Sequence, residues 1–534
     1  MIPRKARRSG YVLVGVFLLA MPFFFCPHCK AEAEAAESGR GDPPNSPGGA
    51  TGNSEGAVEV SIEEAILTAL ENNRALRVER LNPDIRRTFE EEEQSVFDPI
   101  LSGGGSFSRE KGQERSRASN GLIENTESLA EASVGVSQFF PTGTEVGLGF
   151  SADRTWSDLY SDLYESRVGL SVTQALLRGA GSRVNLATLE QTRLDTDASE
   201  YEFRGFAEAL VAQVEETYWD YALAQRQIQI VEESLRIAEQ QLREIEEMIA
   251  VGKLAESEVV AAQAEIASQR QGLIAARSTL ETTRLRLLRL LNPRGSNLWE
   301  RDILLRELPA IPDFVMDPVQ AHVDVALSFR PDLNAARLGV LRDDLEVVKT
   351  KNGLLPKLDL FLILGKTGYA DSFGSSVSDI NNDSYDFSAG LVVQYPFRNR
   401  EAKARYRRST LRLDQALEGV ANLAQLVELD VRTAYIEVDR AKEQISASRA
   451  TLKLQQEKLR IETEKLRVGR STAFLLSQAQ RDLLSSQIAE VRAVANYLKA
   501  LVALYRLEGS LLERRGIAAP GREPVELDKE RIPE

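Results

Sequence analysis

One stretch of this chain is written twice, and that duplication limits its possible folds more than any other feature. Val251-Gly252 opens VGKLAESEVVAAQAEIASQ, and Val468-Gly469 opens VGRSTAFLLSQAQRDLLSSQ, in register at an offset of 217 residues. Upstream, Gln174 and Arg178 match Gln394 and Arg398 at an offset of 220, and Leu76, Leu81 and Pro99 match Leu333, Leu338 and Pro356 at 257. A period above 200 residues is far too long for a solenoid, so a whole supersecondary assembly has been duplicated. The change of offset from 257 to 220 places 37 extra residues in the first copy, between Pro99 and Gln174.

The N-terminus reads as an export leader. Arg4, Lys5, Arg7 and Arg8 precede an apolar run from Tyr11 to Phe25, and small-residue cleavage sites follow at Ala31-Glu32-Ala33 and Ala33-Glu34-Ala35. That order predicts a signal peptide over 1–35. Both cysteines, Cys26 and Cys29, lie in it, and cleavage would discard the metal-like CPHC string. Acylation of Cys26 is the alternative, against which stands the lack of a small residue at Phe24-Phe25. The mature chain then has no thiol and no disulfide. Loss of residues 1–33 takes five basic groups and one acidic group, moving the net charge from -14 to -18, which argues against nucleic acid as a partner. Gly, Pro, Ser and Asn dominate the flexible linker 36–57. The expected organisation continues with a first repeat 58–292, a connector 293–316, a second repeat 317–515 and a tail 516–534.

No proline occurs between Pro141 and Pro293 or between Pro396 and Pro520, and strong helix formers fill both windows. Single helices of roughly 100 Å are expected from Arg183 to Val251 and from Asn399 to Val468, at 1.5 Å per residue. Gly252 and Gly469 then reverse the chain into shorter helices, about 257–291 and 473–512. A further helix is expected before each repeat's strands. One is Ser61–Val96, with a Ser61/Glu64 capping box and a kink at Pro83. The other is Pro318–Leu355, with Asp317 as N-cap. Antiparallel helices this long leave a face that one chain cannot bury, so oligomerisation is expected.

Between the helices lie alternating segments. Tyr385, Phe387, Ala389, Leu391 and Val393 share one face, and Val168, Leu170 and Val172 alternate with Gly169, Ser171 and Thr173. Leu358, Leu360, Leu362 and Leu364 form a third row, and weaker segments near 101–108, 132–140 and 144–151 include a hairpin at Pro141-Thr142-Gly143. Residues 97–178 and 361–397 hold 15 of the 35 aromatics in under a quarter of the length. Apolar-out, polar-in strands with clustered aromatics are what a transmembrane barrel requires. Val168, Leu170, Val172, Phe387, Leu391 and Val393 are therefore expected to face lipid.

These residues resemble the TolC-like outer-membrane efflux protein family, the outer-membrane factors of tripartite efflux and type I secretion systems. The resemblance rests on Arg330-Pro331-Asp332-Leu333, Leu355-Pro356-Lys357-Leu358, the strand ending Gln394-Tyr395-Pro396, and in both copies the long helix, Val-Gly turn and Ala-Gln return helix. It covers about 58–515. It implies a mainly α fold with a membrane β-barrel: a homotrimer whose chains share a 12-stranded barrel and a long antiparallel α-helical tunnel through the periplasm. Residues Val251, Gly252, Lys253, Val468, Gly469 and Arg470 would form a tip that meets a periplasmic adaptor working with an inner-membrane transporter.

The chain departs from that pattern in two places. The first copy offers four strands where the family needs two, and the sequence leaves open whether hairpin 132–153 joins the barrel or protrudes. Where family members carry acids that constrict the tunnel, this chain has Leu475 and Gln478. Glu258 is the one acid at a comparable place, either a constriction residue or a solvated helix residue.

Catalytic signatures are missing: the mature chain has one histidine, His322, and neither a P-loop nor a nucleophile elbow. No enzyme activity, cofactor or metal is expected. The reading is an outer-membrane exit channel. Its rival is a non-pore coiled-coil scaffold, periplasmic or lipid-tethered.

Overall fold

The computed structural model describes residues 58–115, 121–158, 161–294, 297–307, 309–312 and 315–527. The expected leader and linker lie outside the described residues. A short strand β1 (Val58–Val60) leads into helix α1 (Ile62–Asn72). The expected capping box forms: Glu64 N donates to Ser61 Oγ at 3.1 Å and Ser61 N to Glu64 Oε2 at 2.9 Å.

The helix does not run on to Val96 with a kink at Pro83. It stops at Asn73 and restarts as α2 (Arg74–Glu79) and α3 (Leu81–Gln94). Asn73 is extended (φ -62, ψ 124), its Oδ1 accepts from Ala75 N and Leu76 N, and its Nδ2 donates to Leu290 O at 3.1 Å. An Asn that caps a new helix while bonding a distant one competes with helix continuation. Pro83 falls inside the first turn of α3, where it removes no helical bond.

Four strands follow: β2 (Ile100–Arg115), β3 (Leu122–Phe140), β4 (Thr144–Ser157) and β5 (Leu163–Ala175). A single turn α4 (Ser182–Asn185) opens onto α5 (Ala187–Ala250), 64 residues long and so about 96 Å. The return helix α6 is Ser257–Leu291, and β6 (Ile303–Leu305) pairs in parallel with β1.

In the second copy the expected single helix is again two, α7 (Val319–Phe329) and α8 (Pro331–Asn352). Pro331 forces Arg330 into an extended conformation and then starts α8 at its first position, where proline is well tolerated. The N-cap of α7 is Pro318, with no side-chain bond from Asp317. Then come β7 (Lys357–Ala370), a short α9 (Phe373–Asp379), β8 (Tyr385–Gln394), α10 (Arg400–Arg467, 68 residues), α11 (Ala473–Leu507) and α12 (Leu511–Arg514).

The main core sits mid-way along the helices, where α6 ends and α1 begins. Leu287, Leu288, Leu291, Leu504, Leu511 and Leu512 are fully buried there. Tyr221 Oη donates to Ile303 O at 3.1 Å, fastening the β1–β6 pair to α5. The C-terminal segment returns to this region: Arg515 makes a two-pronged ion pair with buried Glu215 (2.7 and 2.6 Å), and Val525 N donates to Asn334 Oδ1.

The second body of structure is one antiparallel sheet of six strands in the order β2-β3-β4-β5-β7-β8. The extra residues of the first copy are therefore inside the sheet. The hairpin is longer than 132–153, running from Leu122 to Ser157, and it turns at Gly143 (φ 84), where a Cβ would lie 2.3 Å from Gly179 O.

Candidate functional site

Both long helices end in the same reversal. Gly252 N donates to Ile249 O (2.9 Å) and Lys253 N to Met248 O (2.8 Å); Gly469 N donates to Leu466 O (2.9 Å) and Arg470 N to Lys465 O (2.8 Å). This pair of bonds needs a left-handed residue at the turn, and Gly252 and Gly469 supply it with φ of 77 and 71. A Cβ on either would meet nothing within 4 Å, so glycine is required for backbone conformation and not for space. Val251 and Val468 are each 68% exposed beside exposed Lys253 and Arg470, which gives two matched apolar-basic tips.

The two hairpins are tied together just behind these tips. Glu258, in the first turn of α6, accepts a hydrogen bond from Ala473 N (2.7 Å) and so caps the start of α11. A carboxylate at a helix N-terminus satisfies a free N–H and is favoured by the helix dipole. Ile245, Ala262 and Ala473 form a small apolar cluster beneath it, with Leu242, Met248 and Leu254 packed around. Two turns further on, buried Glu265 accepts from Arg481 Nη1 (2.5 Å) and from Gln269 Nε2 (2.8 Å), and the side chains of Gln241 and Gln480 bond across. Leu475 and Gln478 are exposed, one helical turn apart on the same side of α11. The cap was not legible in the sequence, because the contact joins residues 215 apart.

Several ionisable groups of the helical body are buried and paired with one another. His322 is buried, with Nδ1 at 2.5 Å from Glu508, and Arg514 Nη2 donates to Glu508 at 2.9 Å. Burial would raise the Glu508 carboxyl, but hydrogen bonds from His322 and Ser510 and the Arg514 charge hold it below its ordinary value. Arg204 is buried beside Glu208 and pairs with Glu513. Burial pushes Glu208 up to about 8, against the opposing charge of Arg204. Among the described residues no cluster of His, Cys, Asp or Glu has the makings of a metal site.

The sheet presents two unlike faces. Directly paired residues share a face, so Leu101, Val136, Leu148, Leu170, Leu364 and Phe387 form one row across all six strands. The adjacent rows on that face carry Val134, Phe150, Val168, Lys366 and Tyr385 on one side, and Gln138, Val146, Val172, Leu362 and Ala389 on the other. Leu391 and Val393 continue it toward the helices, so all six residues expected to face lipid fall on one face. Many are bare: Leu148 is 56% exposed and Phe387 62%. The opposite face carries a row of small and polar residues, Ser102, Gly135, Gly149, Gly169, Gly365 and Asp386, with Arg167 donating to Asp386 at 2.6 Å, and it holds Phe139, Phe361 and Ile363 nearer the helices. Aromatics close the apolar band at the end far from the helices, where Phe107 stacks on Trp156 (5.8 Å) and Arg154 lies over Trp156 (4.6 Å). Among the described residues no helix is long and apolar enough to cross a membrane.

Comparison with known proteins agrees with this geometry. The model of the family described as "Outer membrane efflux protein" matches residues 65–293 and 323–510, one segment per repeat. The chain is 24% identical over 352 residues to the outer membrane efflux protein BepC of Brucella suis biovar 1 (strain 1330), covering 64% of this chain and 72% of that one. Its fold resembles that of the outer-membrane channel OprN, with a TM-score of 0.63 at 20% identity over 84% of this chain and 90% of that one. It also resembles the Campylobacter jejuni CmeC outer membrane channel, with a TM-score of 0.62 at 16% identity over 84% and 86%. The chain belongs to the outer membrane efflux protein family and is an outer-membrane exit channel, its helices on the periplasmic side.

Proposed function

We propose that this channel works as a homotrimer that receives substrate from a periplasmic adaptor and an inner-membrane transporter. The observation that carries the trimer is an unburied apolar stripe on the helices. Leu411, Leu429, Ile436 and Leu454 on α10 are each at least 58% exposed, as is Val78; Leu81, Ile85 and Phe89 on α3 repeat at four-residue spacing and are each at least 45% exposed. Stripes of this kind bury against neighbouring helices, and copies of the same chain supply them. Trimers that survive detergent but dissociate on boiling, recovered in the outer-membrane fraction, are the expected result. A monomer in the soluble periplasmic fraction would refute this reading and favour the scaffold.

In this proposal Val251, Gly252, Lys253, Val468, Gly469 and Arg470 meet the adaptor, their paired geometry offering a repeated apolar-basic knob. The apolar sheet face, including Val168, Leu170, Val172, Phe387, Leu391 and Val393, contacts outer-membrane lipid. Glu258, Leu475 and Gln478 line the narrow end of the tunnel. Threefold symmetry makes any inward residue a ring of three. Because Glu258 already caps α11, and Leu475 and Gln478 are uncharged, the constriction is weakly cation-selective.

A further inference from the structure

We propose that β3 and β4 are part of the membrane wall, so that three copies close an 18-stranded barrel. In it, the β8 edge of each copy pairs antiparallel with the β2 edge of the next. The inference deepens the trimeric channel reading and rests on it.

Two observations carry it. First, the inserted strands continue the two-faced pattern without a break. Val134, Val136, Leu148 and Phe150 lie on the apolar face, while Ser133, Gly135, Gly149 and Ser151 lie on the polar one. A hairpin projecting into water would have no reason to keep an exposed apolar row aligned with Leu170 and Phe387. Second, the sheet ends in two unpaired edges of opposite direction. Ile100 begins β2 and Gln394 ends β8 at the same, helix-proximal end, as the registers Ile100↔Ser137 and Lys357↔Gln394 require. An open edge is not tolerated in a bilayer, and an even number of alternating strands lets a rotated copy continue the ladder antiparallel.

Standard spacings give widths that fit this closure. Strands spaced by about 4.8 Å and tilted by about 40° each take up roughly 6.3 Å of circumference, so six span about 38 Å. At a given height each copy presents four helices: α5, α10, and their two shorter companions. At about 9.5 Å apart these also span about 38 Å. Three such arcs close rings of about 36 Å diameter, so sheet and helices meet at equal girth.

The test uses the full chain, which has no cysteine beyond Cys29. Single cysteines along β3, β4 and β5 are labelled with bimane, and the protein is placed in liposomes of brominated phosphatidylcholine. Quenching is expected to alternate on all three strands, strong at Val134, Val136, Leu148, Phe150 and Leu170 and weak at their neighbours. Alternation on β5 with none on β3 and β4 would overturn the 18-stranded wall while leaving the channel intact. Absence of alternation on every strand would overturn the channel reading itself.

Disulfide trapping supplies a second measurement that needs only small side chains. In the six-stranded sheet, β2 and β5 are three strand spacings apart, about 14 Å, too far for a disulfide. Ser102→Cys with Gly169→Cys should therefore stay reduced. A high-yield intrachain bond would place β2 directly beside β5 and expel the hairpin. Ser388→Cys combined in turn with cysteines at 101–107 should yield covalent dimers and trimers in at least one register. Failure in every register would overturn the β8–β2 closure.

Discussion

Leu170→Arg should sharply reduce membrane assembly, whereas Ser171→Arg should not. Leu170 sits in the middle of the apolar face, paired with Leu148 on one side and Leu364 on the other, in a row with Phe387. Ser171 points the other way, opposite Gly147 and Ile363, with a single long contact to Gly147 O at 3.4 Å. An arginine at the lipid-facing midplane of a barrel costs about 2–4 kcal/mol. Three copies per assembly bring this to about 6–12 kcal/mol for the trimer, enough to drain most of the folded population. On the lumen face the same charge stays hydrated, and the cost falls within about 0.5 kcal/mol, as for an ordinary surface change. The assay is the fraction of heat-labile, detergent-resistant trimer in outer-membrane fractions, normalised to total protein. Equal yields from the two variants would refute the assignment of faces.

Other predictions follow from the helical body. Gly469→Val or Gly252→Val forces a β-branched residue into a left-handed conformation, at about 1–3 kcal/mol. Trimer yield should hold while cross-linking to the adaptor falls; unchanged cross-linking by both would remove the tips from the docking surface. Glu258→Gln keeps an acceptor for Ala473 N but loses its charge, so about 0.5–1 kcal/mol of capping should go. The weak cation preference measured in planar bilayers should go with it, and strong selectivity that survives the change would place the selective carboxylates elsewhere. Glu208 stays protonated in the fold up to a pH of about 8, whereas in the unfolded chain it ionises near 4.5. Wild-type stability should therefore fall as pH rises from about 4.5 to 8, by at most about 5 kcal/mol. Glu208→Gln should flatten that slope in melts followed at 222 nm, and an unchanged slope would show that another group sets it.

The sequence was most legible where local physics decides. Proline-free runs of helix formers predicted α5 and α10 to within a few residues, and Gly252 and Gly469 marked their ends because glycine takes that left-handed turn without a Cβ clash. The alternation in β5 and β8 was strong enough to assign faces. What could not be read depended on distant partners. The break at Asn73 is held by Leu290 O, and the β1–β6 pair is three residues on each side, too short to show a period. β3 begins at Leu122, ten residues earlier than its alternation shows, because Glu124, Asn125, Thr126 and Glu127 carry no apolar rhythm and are ordered by their ladder with β2.

The central claim is that the chain crosses the outer membrane, with the distal end of its sheet outside and its helical tips in the periplasm. Lys111, exposed near the far end of β2, and Arg470, exposed at the second tip, mark the two sides. Single-cysteine variants at these positions can be treated, in intact cells, with a maleimide too large to enter the periplasm. The account predicts that Lys111→Cys is labelled in intact cells and Arg470→Cys only after the outer membrane is permeabilised. Labelling of both only after permeabilisation would place the whole molecule in the periplasm and contradict the channel.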